Sequence, residues 1–425
     1  MLFSEGGVDS SIEGKSLDAL LELLVAEWVH NSDVKRMLII PPDHTRLQSK
    51  AGELTAMLWD RLHEEIDIEI MPALGTHAPM TREECDLMSW SKIPMEKILP
   101  HKWREDLANL GEISSAEMLE ISGGKYDEPM TVEVNQRLVS GEYDLILSIG
   151  QVVPHEVIGF ANYTKNICIG AGGKGIIHKS HFLGAVCDME SIMGRADTPV
   201  RRVINLAYEK FVRPRSNIGF LLTVIEETSD GDKLRGLYAS VNEDAFTAAT
   251  ELSRQVNLTA MEEPIKRCVV YLDPKEFKST WLGNKAVYRT RMAMADDGEL
   301  IVLAPAIRMF GEDETIDRLI RKHGYRGAPA TMAAVKSDPE LGDNLSAAAH
   351  LVHGSSEGRF SITYCCGEGM TKEEIESVGF EYRPYEEAAA EFAIDGLADG
   401  YHETADGKPF YFIRNPALGL WGLKE

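Results

Sequence analysis

The chain has 425 residues, which is enough for two domains or three at roughly 100 to 200 residues per domain. Its content of 44% hydrophobic and 26% charged residues excludes a disordered, collagen-like or coiled-coil protein. The formal net charge of -24 repels phosphate backbones and anionic lipid headgroups. We therefore expect no nucleic-acid partner and no membrane partner, and a small anionic substrate would need a local cationic pocket.

Short runs rich in Ile, Val and Leu alternate with helical patterns along the first 260 residues. Strands are predicted at 34–40, 66–71, 143–149 and 218–225, and helices within 18–30, 54–66 and 245–257. This alternation of strand and helix is typical of an α/β protein.

A polar stretch at 259–267, which contains Pro264, separates this series from a second one. The later strands are predicted at 268–273, 299–305, 360–366 and 409–414. The fold class predicted is α/β with two domains, 1–263 and 264–425, each a sheet flanked by helices, and with the active site in the cleft between them.

No window reaches the roughly 18 apolar residues that a membrane helix requires, and the first residues lack the pattern of a signal peptide. We expect a cytoplasmic protein. The six cysteines form no CxxC pair, so we expect buried, reduced thiols.

Chemically active side chains follow three of the predicted strands. Ligands of open α/β sheets bind beyond the carboxyl ends of the strands. The side chains that follow residues 40, 71 and 149 are Asp43, Thr45, Arg46, Thr76, His77, His155 and Lys165. Three such loops predict one shared cleft.

Two histidines in such a cleft suit proton transfer, because the ordinary imidazole pKa is about 6.5. His77 and His155 lie on separate loops, as a racemase with two opposed bases requires. Arg46 presents a planar set of donors that binds a carboxylate or a phosphate. A lone histidine or arginine at such a position is also typical of a solvated surface.

The segment 155–182 adds further candidates. Lys165 is suited to be an amine nucleophile or a covalent tether, and His178 and His181 are of the type that most often binds metals. Residues 170–175 read GAGGKG, which matches neither the dinucleotide fingerprint nor the Walker loop.

Together these motifs resemble the nickel-dependent lactate racemase family. Its signature has an Asp-x-Thr-Arg loop, a Gly-Thr-His loop, and a histidine followed by a lysine ten residues on and by a second histidine sixteen further. Residues 43–46 read DHTR, residues 75–77 read GTH, and His155, Lys165 and His181 have both spacings. Residues 281–306 are similar to the family's lysine-bearing helix and the strand after it, with Lys285 at the lysine position.

The resemblance implies a cofactor, the nickel-pincer nucleotide, which is a pyridinium-3-thioamide-5-thiocarboxylic acid mononucleotide that holds nickel through sulfur, carbon and sulfur. Lys165 would be its covalent tether. His181 would be the protein ligand of the nickel, in a planar geometry that suits Ni(II). Thr45 and Arg46 would bind the cofactor, and Arg46 and Lys285 the substrate.

The resemblance also implies a mechanism. His77 and His155 would be the acid/base residues: one takes the proton of the substrate 2-hydroxyl while the hydrogen on carbon 2 leaves as hydride to the cofactor. The planar 2-keto acid takes the hydride back on its other face, and the second histidine returns a proton. Residues 1–263 would bind the cofactor and catalyse, and residues 264–425 would close the cleft.

The implied partners are a small anionic 2-hydroxy acid and the cofactor-biosynthesis enzymes needed for maturation. The sequence leaves the oligomeric state open, a homo-oligomer included.

The chain departs from the family pattern at three places. Where Ser-Gly-Gly is usual, residues 161–163 read ANY, which predicts an amide and a bulky ring, those of Asn162 and Tyr163, where small residues admit the cofactor. Residues 78–79 read AP instead of Arg-Pro, and Leu282 replaces a glutamine. A larger 2-hydroxy acid or a sugar acid is therefore as good a candidate substrate as lactate.

Two other functions remain open from the sequence. One is an oxidoreductase of 2-hydroxy acids that uses the same cofactor and stops at the keto acid. The other is a non-catalytic carrier of the nickel cofactor. A carrier has no need of two opposed bases, so His77 and His155 favour the isomerase.

Overall fold

The structure is a computed structural model of the chain, and it describes residues 1–228, 231–417 and 419–424. The chain forms two units, the first from residues 1–183 and 192–257 and the second from residues 184–191 and 258–425. Each unit contains a sheet with helices around it. The predicted α/β class with two domains is confirmed. That residues 184–191 belong with the second unit was not predicted.

The first unit contains a six-stranded sheet and two hairpins. Its strands are β1 (Phe3–Gly6), β2 (Arg36–Ile40), β3 (Asp67–Ile70), β4 (Leu107–Ile113), β5 (Met130–Asn135), β6 (Leu145–Gln151), β7 (Pro154–His155), β8 (Gly159–Phe160), β9 (Ile218–Thr228) and β10 (Gly231–Ser240). The order in the main sheet is β1-β10-β9-β6-β2-β3. Strands β9, β6, β2 and β3 are parallel, and β10 and β1 extend the sheet in antiparallel pairs. The hairpins pair β4 with β5 and β7 with β8.

The helices of this unit follow the apolar periodicity of the sequence. They are α1 (Gly14–Leu24), α2 (Ala51–Leu62), α3 (Arg82–Leu87), α4 (Ser115–Ile121), α5 (Lys174–Val186), α6 (Pro199–Ala207) and α7 (Asp244–Asn257). The last three residues of α5 belong to the second unit. Capping boxes begin α3, where Thr81 pairs with Glu84, and α4, where Ser114 pairs with Glu117. These side chains satisfy the free N–H groups of the first turn.

The central strand β6 shows why the strand predictions succeed. All seven of its residues are buried, as expected for a parallel strand covered on both faces, which reads as a continuous apolar run. It starts and ends two residues later than the predicted 143–149, because Gly150 and Gln151 continue the ladder with β9.

The second unit has its own six-stranded sheet. Its strands are β11 (Thr259–Met261), β12 (Ile265–Tyr271), β13 (Met294–Ala304), β14 (Ser361–Cys366), β15 (Glu381–Pro384), β16 (Gly400–Glu403), β17 (Pro409–Ile413) and β18 (Trp421–Leu423). The order is β15-β14-β13-β12-β17-β16, with only β16 antiparallel to its neighbour, and β11 pairs with β18. Its helices are α8 (Thr280–Gly283), α9 (Lys285–Thr290), α10 (Glu314–His323), α11 (Ala328–Ser337), α12 (Pro339–Asp343), α13 (Leu345–His353), α14 (Lys372–Ser377) and α15 (Tyr385–Phe392).

Two further expectations can be compared with the structure. Within the described ranges, no helix combines the length and the apolar character needed to cross a membrane. All six cysteines are buried and have free thiols, as predicted.

Candidate active site

The loops that follow β2, β3 and β6 line one cavity of about 230 Å³ in the first unit. Because these three strands are parallel neighbours, their loops leave the sheet at the same edge. The residues singled out from the sequence that line this cavity are Asp43, Thr45, Arg46, Thr76, His77, Asn162, Lys165 and His181.

A buried carboxylate orients His77. The Asp43 side chain is 5% exposed, and its Oδ2 lies 2.5 Å from His77 Nδ1. Its Oδ1 accepts hydrogen bonds from the backbone N–H of Thr45, at 3.1 Å, and from the Thr45 hydroxyl, at 2.5 Å. An ionised carboxylate only accepts, so Nδ1 of His77 is the donor. The neutral ring then keeps a lone pair on Nε2, which is the form of a base.

The pKa values of this pair follow from the same contacts. The hydrogen bond to Asp43 raises the pKa of His77 above its ordinary value, against burial and the positive charges of Arg46 and Lys165. Burial alone would raise the pKa of Asp43, but the hydrogen bonds from His77 and Thr45 outweigh it, so this pKa is lowered. The pair therefore favours an ionised Asp43 beside a histidine that binds protons readily.

Lys165 contributes an amine of lowered basicity. Burial, together with the positive charges of Arg46 and Arg201, lowers the pKa of Lys165 to about 8, against the opposing charge of Glu156. With such a pKa, about a tenth of the Lys165 amine is neutral and nucleophilic at pH 7, roughly a hundredfold more than in an ordinary lysine.

The segment before Lys165 has an unusual backbone. Asn162 and Tyr163 both have left-handed conformations, with φ values of 64° and 57°. The Asn162 amide lies so close to Gly150 that a Cβ there would be 2.0 Å from Nδ2. Any side chain at residue 150 would therefore have to displace the Asn162 amide.

This backbone corrects the expectation for residues 161–163. The Tyr163 ring is 2% exposed and does not line the cavity. It packs against Phe220 and Phe246, with ring centroids 4.5 and 5.3 Å away. The predicted obstruction by the ring is therefore wrong, because the left-handed turn directs the ring into the core. The Asn162 amide does line the cavity.

His181 is oriented by the helix that carries it. Its Nδ1 lies 2.6 Å from the Ile177 carbonyl one turn earlier in α5. A carbonyl only accepts, so Nδ1 carries the proton and Nε2 has its lone pair available, as in most metal-binding histidines. Burial lowers the pKa of His181 to about 4, which keeps the ring neutral. His178 does not line the cavity.

His155 has the opposite tautomer to His77 and lies outside the set of residues that line the cavity. It is part of the short hairpin strand β7. Its Nδ1 accepts the backbone N–H of Val157 at 3.1 Å, and the Glu156 carboxylate lies 3.9 Å from the same atom. The neutral ring therefore carries its proton on Nε2.

The cationic candidates lie in different units. Arg46 is exposed at the cavity, and its Nη1 donates to the Thr45 carbonyl at 3.4 Å. Lys285 begins α9 in the second unit, where its Nζ lies 5.8 Å from the centre of the Phe277 ring. Its predicted role in substrate binding stays a prediction.

Several residues in and around the site were not predicted to have a role. Asp43 was recognised only as part of a motif. His101, 1% exposed, accepts a hydrogen bond from Asn135 Nδ2 at Nδ1 and donates from Nε2 to the Gly172 carbonyl. Arg201 is buried beside the segment that leads to Lys165. It lies on the apolar face of α6, three residues before Ile204, and a charged residue in that position was the signal that could have revealed it.

Residues 24–194 match the family model described as the lactate racemase N-terminal domain. The resemblance to the lactate racemase family is confirmed. The matched segment contains the three loops of the cavity and the whole of α5, which carries His181. No curated protein sequence matches the chain significantly.

Two solved structures are similar to the chain. A crystal structure of a protein from Thermotoga maritima has a TM-score of 0.78 and 23% sequence identity, and the match covers 98% of this chain and 100% of that one. The lactate racemase apoprotein from Thermoanaerobacterium thermosaccharolyticum has a TM-score of 0.69 and 16% identity, with 92% of this chain and 87% of that one covered. At these identities the two structures establish a shared fold.

Proposed function

We propose that the protein is an isomerase that inverts the configuration at carbon 2 of a 2-hydroxy acid, with a nickel-pincer nucleotide attached to Lys165. The observation that carries the proposal is the cavity that Lys165, His181 and His77 line together, with a lowered pKa at Lys165 and oriented rings at both histidines. The lactate racemase N-terminal domain supports the reaction class.

The side chains of the cavity fit such a cofactor. Lys165 offers an amine whose pKa is lowered to about 8, and His181 offers a neutral Nε2 whose orientation is fixed by the Ile177 carbonyl. Among the described residues, no group of three or more His, Cys, Asp or Glu side chains is arranged to hold a metal ion. His181 would accordingly be the protein's ligand for a nickel ion that the nucleotide holds through its other donors.

When bound at Lys165 and His181, the nucleotide would supply an acceptor for the hydrogen that leaves carbon 2 as hydride. His77 Nε2 takes the proton of the substrate 2-hydroxyl, and Asp43 stabilises the imidazolium that forms. On the other face of the planar keto acid, His155 would act as the acid in its imidazolium form, giving the Nε2 proton to the substrate oxygen, and the Glu156 carboxylate 3.9 Å from Nδ1 would stabilise that form. An inversion would leave His77 as an imidazolium and His155 as the neutral ring, and proton exchange with solvent would restore the starting forms of both.

Substrate binding would fall to Arg46. Covalent attachment would remove the charge of Lys165, which leaves Arg46 as the permanent cation among the described residues lining the cavity. Its planar donors suit a carboxylate. The substrate class is therefore an anionic 2-hydroxy acid, with lactate, a larger hydroxy acid and a sugar acid as the candidates.

The two alternatives make different demands on the site. A carrier of the cofactor needs Lys165 and His181 but has no use for an oriented base at His77. An oxidoreductase needs one base and releases the keto acid. Inversion needs two acid/base residues, and His77 and His155 would supply them.

The proposal is tested by the mass of the intact protein after coexpression with the cofactor-making enzymes. We expect a nucleotide adduct in wild type and in Lys174→Ala, and none in Lys165→Ala. An adduct on Lys174 would move the tether, and no adduct in wild type would overturn the proposal.

Loaded protein is then given single enantiomers of 2-hydroxy acids and aldonic acids while optical rotation is followed. Inversion supports the isomerase. Net release of a keto acid would indicate the oxidoreductase, and an adduct without any turnover would indicate the carrier.

A further inference from the structure

Arg201 is a buried charge that contacts the segment leading to Lys165. Its side chain is 1% exposed. Its Nη1 donates to the Asn162 carbonyl at 3.2 Å and to the Thr164 hydroxyl at 3.0 Å, and its Nη2 donates to the Phe160 carbonyl at 2.6 Å. One guanidinium group thus binds three of the five residues that immediately precede Lys165.

Among the described residues, no carboxylate lies within hydrogen-bond distance of Arg201, and the negative charge of Glu243 acts on it only from further away. The three partners of Arg201 are oxygen atoms of neutral groups, and its Nε has no hydrogen-bond partner among the described residues. The guanidinium lies over the ring of Phe246, 4.3 Å from the centroid. Burying a charge in this way is costly. Stability alone would favour an apolar side chain of similar volume, so the arginine calls for another explanation.

The segment that Arg201 binds needs support. Asn162 and Tyr163 are consecutive residues with left-handed backbone conformations, which residues other than glycine rarely adopt. Thr164 is fixed a second time, because its hydroxyl donates to Asn205 Oδ1 at 2.6 Å. The chain emerges from this turn at Lys165, whose side chain lines the cavity.

We propose that Arg201 is a positioning residue that fixes residues 160–164 so that the amine of Lys165 enters the cavity in the orientation needed for attachment. The inference rests on the proposed function, in which Lys165 is the tether. Attachment to a thiocarboxylic acid as a thioamide forms the Nζ–C bond, breaks a C–O bond and releases water. The charge of Arg201 also contributes to the lowered pKa of Lys165, which favours the neutral amine that this step consumes.

The test uses two variants of Arg201 and two controls. Arg201→Met removes every donor at similar length, and Arg201→Lys keeps the charge but not the planar set of donors. Arg202→Met is the matched neighbour, since Arg202 is exposed and pairs with Asp197. Leu58→Ala destabilises a core cluster that does not contain Arg201.

Two quantities are measured. The first is the fraction of Lys165 that carries the adduct after coexpression with the cofactor-making enzymes. The second is the hydrogen-exchange rate of residues 160–166 in protein made without those enzymes. For Arg201→Met we expect adduct occupancy to fall and local exchange to rise, each by about tenfold or more, because three hydrogen bonds are lost from one segment.

Arg201→Lys should have adduct occupancy and a local exchange rate between those of Arg201→Met and wild type. Arg202→Met and Leu58→Ala should have the wild-type adduct occupancy and the wild-type exchange rate. Wild-type exchange and occupancy in Arg201→Met would overturn the inference, and so would the same changes in Leu58→Ala. If Arg201→Met does not fold, the exchange rate of Arg201→Lys decides in its place. A wild-type protein without adduct would count against the proposed function, while the exchange rates would still decide the role of Arg201.

Discussion

Replacing Asp43 by asparagine tests whether the buried carboxylate sets the tautomer of His77. In the native protein, Oδ1 accepts both donors of Thr45 and Oδ2 accepts His77 Nδ1. Asparagine has one acceptor oxygen and one NH2 group. Because the backbone N–H of Thr45 is an obligate donor, the asparagine oxygen remains on that side and its NH2 group faces His77.

The Asp43→Asn substitution converts Nε2 of His77 from a proton acceptor into a hydrogen-bond donor. The amide NH2 donates to Nδ1, so the ring proton moves to Nε2, which can then no longer accept the proton of the substrate. Loss of a positioned base costs roughly a hundred- to ten-thousand-fold in rate. The pKa of His77 falls as well, since the hydrogen bond and charge of Asp43 raise it while Arg46 and Lys165 lower it.

Two assays follow from this reasoning. The rate of inversion by cofactor-loaded Asp43→Asn should fall by about 10² to 10⁴. Nitrogen-15 NMR of the unloaded protein should show His77 protonated at Nδ1 in wild type and at Nε2 in the variant. Glu65→Gln, which alters the exposed ion pair with His30, is the matched control and should change neither. A loaded Asp43→Asn protein that inverts substrate at nearly the native rate, or that keeps the proton on Nδ1, would refute the reasoning.

Four further predictions concern the metal, the second histidine, the Lys165 segment and pH. His181→Ala should lose nickel in elemental analysis, whereas His178→Ala should retain it, and equal nickel in both would remove His181 from the ligand set. His155→Ala should slow inversion of both enantiomers by roughly 10² to 10⁴ with little change in melting temperature; a near-native rate in loaded protein would contradict the use of two bases. Tyr163→Ala should lower the free energy of unfolding by about 3 to 5 kcal/mol, as for other buried aromatic side chains, and urea titration that shows a loss under 1 kcal/mol would mean that the ring is not packed as described. The lowered pKa of Asp43 contributes stability above pH 3.8, and this stability is lost as the pH falls through the folded-state pKa of Asp43. The raised pKa of His77 contributes stability below pH 6.5, and this stability is lost as the pH rises through the folded-state pKa of His77. The difference in melting temperature between wild type and Asp43→Asn should therefore be largest between these limits, and a difference that does not vary with pH would contradict the coupling.

The sequence revealed those parts of the fold that local pattern determines. Buried parallel strands such as β2 and β6 are continuous apolar runs, so they were recognised without any partner in view. The convergence of the loops after β2, β3 and β6 followed from the rule for open sheets. The hairpin of β4 and β5 was missed, because β4 is largely half-buried and lacks a clear alternation of apolar and polar residues.

Side-chain direction was the part that the sequence could not give. The left-handed turn at Asn162 and Tyr163 depends on contacts with residues about 40 to 80 positions further along the chain, among them Arg201 and Phe246. No local propensity predicts two such residues in succession, so the ring of Tyr163 was expected in the wrong place. The link from Asp43 to His77 likewise joins two different loops, and only the packed structure shows it.

The Asp43–His77 pair also bears on whether the protein is an enzyme or a carrier. A carboxylate this buried would normally be disfavoured, and three donors compensate for its burial, two from Thr45 and one from His77. The His77 side chain itself is 56% exposed and lines the cavity. Asp43 therefore fixes Nδ1 of the ring, while Nε2 is the nitrogen left for the substrate. A protein that only stored a nucleotide on Lys165 would gain nothing from this arrangement, since tethering and nickel binding use neither residue. A residue that must accept and release a proton in every turnover does gain, because its tautomer and its affinity for the proton are set before the substrate arrives. The geometry of Asp43 is therefore the feature of this cavity that most strongly favours turnover over storage.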